Sequence, residues 1–214
     1  KFAEQLCSEE GKTQEKHYDA VSDTYIKNLN YPHTREYLSY LDSVLVSAVK
    51  SNNLGVAGEI CCGTGEAFNL FKGDVKFGIG VDVSMNMLRG ANKNHEDEKL
   101  LFIQGDAVKL PLADAIFDNV FCLGGIHHVN NRIALFGEIE RVLKPGGKFI
   151  WREPVDDFII WRAIRTIIYK LSPHLDDKTE QPLRYKSTKK CLKKAGLKLD
   201  SWNTYGFFGF CFCI

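Results

Sequence analysis

The sequence predicts an α/β protein: a doubly wound, mostly parallel seven-stranded sheet with helices on both faces and a C-terminal antiparallel β-hairpin. Three observations carry that expectation. Short apolar runs at 56–62, 75–81, 100–104, 116–123 and 148–153 alternate with longer segments of helical or loop character, the pattern of parallel strands joined by crossover helices. Two segments of helical periodicity precede the first run. The tail "LKLDSWNTYGFFGFCFCI" alternates, is rich in aromatics and is broken by glycine after Tyr205, as a hairpin would be.

Taken in order, the segment from Thr13 to about Asn30 places Tyr18, Val21, Tyr25 and Leu29 at helical spacing, and Pro32 interrupts it. A second helix from Thr34 to about Asn52 carries Tyr37, Leu38, Leu41, Leu45 and Val49 on one side and stops at "SNNLG". After the fourth apolar run, Ile133, Phe136, Ile139 and Leu143 mark a helix face that ends at Pro145-Gly146-Gly147. The stretch from Asp156 to Lys190 fits neither half of the alternation. It opens with "DDFIIWRAIRTIIYKL", apolar with mostly basic polar positions, and reads as a helix packed over the sheet edge or as one that touches a membrane surface or greasy ligand. The chain is one domain, 1–214, with a helical lid over 1–54, a core over 55–154, a cap over 155–190, and a helix end with a hairpin over 191–214.

Composition narrows the function classes. The 214 residues can bury one sizeable core. Lys and Arg total 28 against 27 acids, a net charge of +1, so no charge excess points to nucleic acid. No apolar run approaches the ~18 residues of a membrane-spanning helix, and the expectation is a soluble, cytoplasmic protein with at most peripheral membrane contact. Of the seven cysteines, Cys61 and Cys62 are adjacent and Cys122 lies in an apolar run. No pair has a zinc spacing, so they read as reduced buried thiols and no metal is expected.

The chemistry sits at strand ends. "GEICCGTGEAF", residues 58–68, places Gly63 and Gly65 after the first strand, where a ligand can approach the amides of the next helix. A dinucleotide fingerprint needs a third glycine where this chain has Phe68, which weakens a nicotinamide-dependent oxidoreductase reading. The second strand ends in Asp82, 17 residues beyond Gly65. A carboxylate there can accept from ribose hydroxyls or, alternatively, cap the following helix. The third strand ends in Asp106, followed by Ala107; a carboxylate and a neighbouring amide can read one purine edge.

The ordered set "GEICCGTGEAF", "GVDVSMNML", "FIQGDAVKLPLADAIFDNVFCLGGIHHV" and "EIERVLKPGGKFIWREP" resembles the class I S-adenosylmethionine-dependent methyltransferases. The likeness is to the group that includes the ubiquinone and menaquinone C-methyltransferases, sterol methyltransferases and many small-molecule enzymes. The resemblance implies a Rossmann-like fold that binds S-adenosylmethionine and releases S-adenosylhomocysteine. It also implies roles: Gly63 and Gly65 let the methionine moiety lie against the backbone, Asp82 holds the ribose, Val83 and Met87 pack near the adenine, and Asp106 and Ala107 read its edge. Leu123 faces the cofactor. Glu59 organises the loop or receives the cofactor ammonium through water. Cys61 stands where the family has glycine. A leading helix such as this one folds over the cofactor in relatives, so a hydroxyl of Tyr18 or Tyr25 could meet the methionine end, although both also suit a core-facing role.

On that reading an acceptor O, N or C is aligned with the methyl group, and orientation by itself is worth about 7–11 kcal/mol in favourable models. His127, just beyond the fourth strand, is the candidate base where the acceptor must lose a proton, with His128 beside it. Glu153 is an acceptor-side polar group or a partner of Arg152 or Arg162. The expected partner is a small or lipophilic molecule, not nucleic acid, and the oligomeric state is open. A non-catalytic adenosyl-binding module stands as a further alternative.

Overall fold

The computed structural model describes residues 7–29, 31–49, 53–159, 162, 164, 166–167, 181–205 and 210–213. Two helices lead: α1 (Glu9–Leu29) and α2 (Pro32–Val49). α1 begins a turn earlier than the apolar spacing predicts, because the Ser8 hydroxyl accepts from the Gly11 amide at 2.9 Å and Glu9 and Glu10 occupy the first turn. That is an N-cap followed by charges that suit the helix dipole. Pro32 does more than interrupt: it opens α2, where its missing N–H costs nothing.

The core then alternates: β1 (Gly55–Ile60), α3 (Glu66–Leu70), β2 (Val75–Asp82), α4 (Met85–Asn94), β3 (Leu100–Gln104), β4 (Phe117–Leu123), a 3-10 turn (Ile126–His128), α5 (Arg132–Val142) and β5 (Leu143–Pro154). These five strands pair in parallel in the order β3-β2-β1-β4-β5. α6 (Tyr185–Lys194) follows across the expected boundary at residue 190. Beyond the parallel core, β6 (Asn203–Tyr205) and β7 (Phe210–Cys213) run antiparallel, with β7 paired to the β5 edge. Residues 206–209 lie outside the described residues, as do 160–161, 163, 165 and 168–180 of the 155–190 cap.

Helices cover both faces, and the strands show why. On β5, Phe149 and Trp151 join one core with Leu135, Phe136 and Ile139 of α5 and Leu192 of α6. Ile150 between them faces the opposite core, with Leu45 of α2, Phe68 of α3 and Leu88 of α4, the two-residue period of a sheet buried on both sides. The α5 face differs from expectation. Leu135, Phe136, Ile139 and Val142 are buried while Ile133 is 42% exposed, and the helix ends at Val142, so that Leu143 already belongs to β5. "KPGG" lies inside β5 as an irregularity, between the pairs Phe117 with Leu143 and Asn119 with Lys148.

Candidate functional site

The strand order reverses between β1 and β4, and open α/β sheets bind ligands at the carboxyl ends of such a switch point. A cavity of about 470 Å³ lies there. Its floor is the turn after β1, where Cys61 (φ 55), Gly63 (φ 50) and Gly65 (φ 81) are all left-handed. The glycines take this conformation without strain; a side chain raises its energy by roughly 1–2 kcal/mol. Cys61 thus keeps the backbone geometry a glycine would have. The turn curls onto Asp82: the Gly63 amide donates to its Oδ2 at 2.8 Å and the Ser84 amide to its Oδ1 at 2.9 Å. Burial pushes the Asp82 carboxyl above its ordinary value, against the pull of those amides.

Of the residues singled out from sequence, Cys61, Gly63, Asp82, Val83, Met87, Asp106, Ala107 and Leu123 all line this one cavity. Glu59 and Gly65 stand behind its wall. Glu59 is 1% exposed, and its Oε1 accepts from the Ala67 amide at the start of α3, at 2.9 Å. Burial pushes its carboxyl well above the usual range, and its Oε2 is buried without a hydrogen-bond partner among the described residues. Phe68 fills the place of the missing third glycine. It is 3% exposed, and a Cβ on Gly78 would stand 2.6 Å from its ring, so the strand gives way where the fingerprint's helix would.

Asp106 is engaged from above. Its Oδ1 accepts from Val108 N at 3.0 Å, and its Oδ2 from both the amide (2.8 Å) and the hydroxyl (2.6 Å) of Ser8. The N-cap of α1 is therefore a latch on the carboxylate expected to read a purine. Further along α1, the Asp19 carboxylate accepts from Ser84 Oγ at 2.5 Å and from Asn86 N at 3.2 Å, at the start of α4. Gln14 donates to the His128 carbonyl, and the Tyr18 hydroxyl meets His128 Nε2 at 2.7 Å. Gln14 and Tyr18 line the cavity, so Tyr18 is a wall residue rather than a core anchor. The Tyr25 side chain lies outside what the structure describes.

The histidine pair is ordered by Glu153. Fully buried, Glu153 accepts from the amides of Gly125 (2.7 Å) and Ile126 (2.8 Å) through Oε1, and its Oε2 pairs with His127 Nδ1 at 2.7 Å. It pairs with neither arginine considered from sequence. A carboxylate at Nδ1 fixes the proton there and leaves Nε2 as the base. His128, whose ring centroid is 3.9 Å from that of His127, is on the cavity wall, whereas His127 is not. Arg152 is 5% exposed and bridges Asp42 of α2 and Glu66 of α3. Burial would lower its pKa, but the two carboxylates outweigh that and raise it. Asp42 and Glu66 both reach the cavity.

Sequence reasoning missed Ser8, Asp19 and the Asp42, Arg152 and Glu66 group. Ser8 ahead of two acids is an N-cap signature that could have been read; the others have no local signal. Among the described residues, no cluster of three or more His, Cys, Asp or Glu side chains is placed to hold a metal ion. No helix among them is long and apolar enough to cross a membrane.

Comparison with known proteins follows this geometry. A family model described as a methyltransferase domain matches residues 58–151. The demethylmenaquinone methyltransferase of Staphylococcus saprophyticus is 38% identical over 99 residues, covering 44% of this chain and 42% of that protein. The demethylmenaquinone methyltransferase of Staphylococcus aureus is 36% identical over the same length, covering 41% of that protein. The chain thus spans less than half the length of the curated relatives it matches. Among solved structures, a Haloferax volcanii methyltransferase in complex with the Trm112 activator shares the fold at TM-score 0.74 and 17% identity, over 92% of this chain and 95% of that one. A SAM-dependent methyltransferase of Thermotoga maritima does so at TM-score 0.71 and 22% identity, over 93% and 97%. Residues 58–151 therefore match a methyltransferase domain and are similar in sequence to demethylmenaquinone methyltransferases, and the chain shares the fold of solved methyltransferases.

Proposed function

We propose that the chain moves a methyl group from S-adenosylmethionine to a small, lipophilic, quinone-like acceptor, with membrane contact limited to the periphery and no nucleic-acid partner. The observation that carries this reading is that Asp82 and Asp106, at the ends of adjacent strands, open into one cavity with the left-handed Gly63 turn. The residues fit an adenosyl sulfonium. The Asp82 oxygens each use one amide and keep capacity for a pair of ribose hydroxyls. The cavity volume lies in the range of small-molecule pockets. A seven-stranded sheet closed by a C-terminal hairpin belongs to the same proposal.

In this scheme Asp82 holds the ribose while Ala107 N–H and Asp106 hold the adenine edge, an amine there sharing Asp106 with Ser8. Val83 and Met87 flank the base. Gly63 and Leu123 face the methionine end, with Glu59 anchoring α3 beneath them. When bound, S-adenosylmethionine would supply a methyl carbon activated by its sulfonium for in-line displacement, with S-adenosylhomocysteine as the product. α1 covers the cavity and excludes water. If the acceptor must lose a proton, His127, oriented through Glu153, is the base, with His128 beside it on the cavity wall.

The test is calorimetry with S-adenosylmethionine and S-adenosylhomocysteine, followed by transfer of a labelled methyl group to a panel of reduced naphthoquinones, benzoquinones and sterols. Binding with label appearing in a quinol supports the full reading. Absence of any adenosyl binding would overturn it, and binding with label in a non-quinoid acceptor would overturn the acceptor class alone.

A further inference from the structure

The cysteine that replaces the family's glycine has company. Strand alternation should send Ile60 and Cys61 to opposite faces of the sheet. The left-handed backbone at Cys61 breaks the alternation, so Cys61 packs with Ile60 and Cys122 against one core while Cys62 joins the other. A Cβ built on Gly125 would stand 3.0 Å from the Sγ of Cys61 and 3.0 Å from that of Cys122; only glycine leaves room for both. Continuing the register of Glu59 with Phe121 on the adjacent parallel strands β1 and β4 sets Cys61 diagonal to Cys122, the neighbouring-strand placement from which a disulfide can be closed. The two sulfurs thus flank the same point over Gly125, and the neighbouring Cys61, followed by burial, pushes the Cys122 thiol well above its ordinary value. Cys61 lines the cavity, whereas Cys122 is fully buried behind it.

We propose that Cys61 and Cys122 form an oxidisable dithiol in the wall of the cavity, with Cys61 the attacking sulfur and Cys122 the resolving one. Hydrogen peroxide, or an organic hydroperoxide, entering the cavity is the oxidant. The Cys61 sulfur attacks a peroxide oxygen, the O–O bond breaks, and Cys61 sulfenic acid and one water result. The Cys122 sulfur then displaces the hydroxyl, and the S–S bond forms. Its proton leaves by way of Glu153 Oε1, 3.8 Å away, to complete a second water. Two thiols lose two electrons and two protons, and the peroxide is reduced to water.

The experiment is oxidation of the reduced chain with hydrogen peroxide, then non-reducing digestion and tandem mass spectrometry that separates Cys61 from its neighbour Cys62. The expected product is a Cys61 to Cys122 linked peptide that dithiothreitol reverses. In Cys122→Ala, Cys61 should instead be trapped by dimedone as a sulfenic acid; in Cys61→Gly, Cys122 should stay alkylatable throughout. Cys61 advancing to sulfinic acid while Cys122 stays free, or Cys122 oxidising in Cys61→Gly, would overturn the proposal, and the second arm serves even if Cys122→Ala does not fold. The dithiol stands on geometry by itself; protection by cofactor rests on the proposed function. S-adenosylhomocysteine at ~10 times its Kd should slow the linkage roughly tenfold. An unchanged rate beside a normal disulfide would count against the adenosyl assignment and leave the dithiol in place.

Discussion

The floor of the cavity and its cover are held by different kinds of bond. On the floor, Asp82 is fixed by the amides of Gly63 and Ser84, and Glu59 by the amide of Ala67. Each is a carboxylate meeting the backbone of the turn its own sheet layer creates. The cover is held mainly by side chains reaching across the sequence: Ser8, through its hydroxyl beside its amide, to Asp106, Tyr18 to His128, Asp19 to Ser84, and Asp42 to Arg152. Backbone partners come with the fold and open only when it does. Side-chain latches can be released one at a time, since local openings are governed by the few contacts that close them. A cavity with a fixed floor and a detachable cover can admit a ligand without losing the groups that recognise it.

Breaking Arg152 tests this contrast most severely. Arg152→Met leaves the Asp42 and Glu66 carboxylates without their shared partner, and because both keep some exposure the loss of stability should fall at the low end for a buried pair, about 3 kcal/mol. Urea unfolding measures it, and an unchanged midpoint would mean that α2 and the core are energetically independent. Asp82→Ala attacks the floor. With the ribose bonds gone, calorimetric affinity for S-adenosylmethionine should fall about 100-fold, or roughly 2.7 kcal/mol, while circular dichroism stays native. Equal affinity would remove Asp82 from the ribose.

Ser8→Ala attacks the cover. Loss of the N-cap and of the hydroxyl bond to Asp106 should weaken the first turn of α1 by about 1–2 kcal/mol. Amide exchange there should accelerate while the unfolding midpoint of the core stays put; a matching fall in core stability would show that floor and cover open together. The mildest effect is expected from Glu59→Gln. Folded Glu59 binds its proton more tightly than the unfolded chain does. The wild type therefore loses stability as pH rises from the ordinary glutamate value toward the raised folded one. The variant keeps the acceptor for Ala67 without that loss, so it should melt higher than wild type near pH 7, with the gap closing toward pH 4. A gap that widens at low pH would reverse the sign assigned here.

What the sequence determined by itself was the part governed by short range. Apolar runs and helical spacing set the five parallel strands; Gly63 and Gly65 marked the turn; and acids at two strand ends marked Asp82 and Asp106, because a strand end is where a neighbouring loop and ligand must be. Tertiary structure decided which atoms those acids meet. That Ser8 sits on Asp106, that Glu153 orients His127 rather than pairing with an arginine, that His128 and not His127 reaches the wall, and that Cys61 turns toward Cys122 all depend on how helices and strands settle against one another. The reason is range: such contacts join residues as far apart as Ser8 and Asp106 or Tyr18 and His128, and nothing in the local spacing of either partner encodes the docking that brings them within a hydrogen bond.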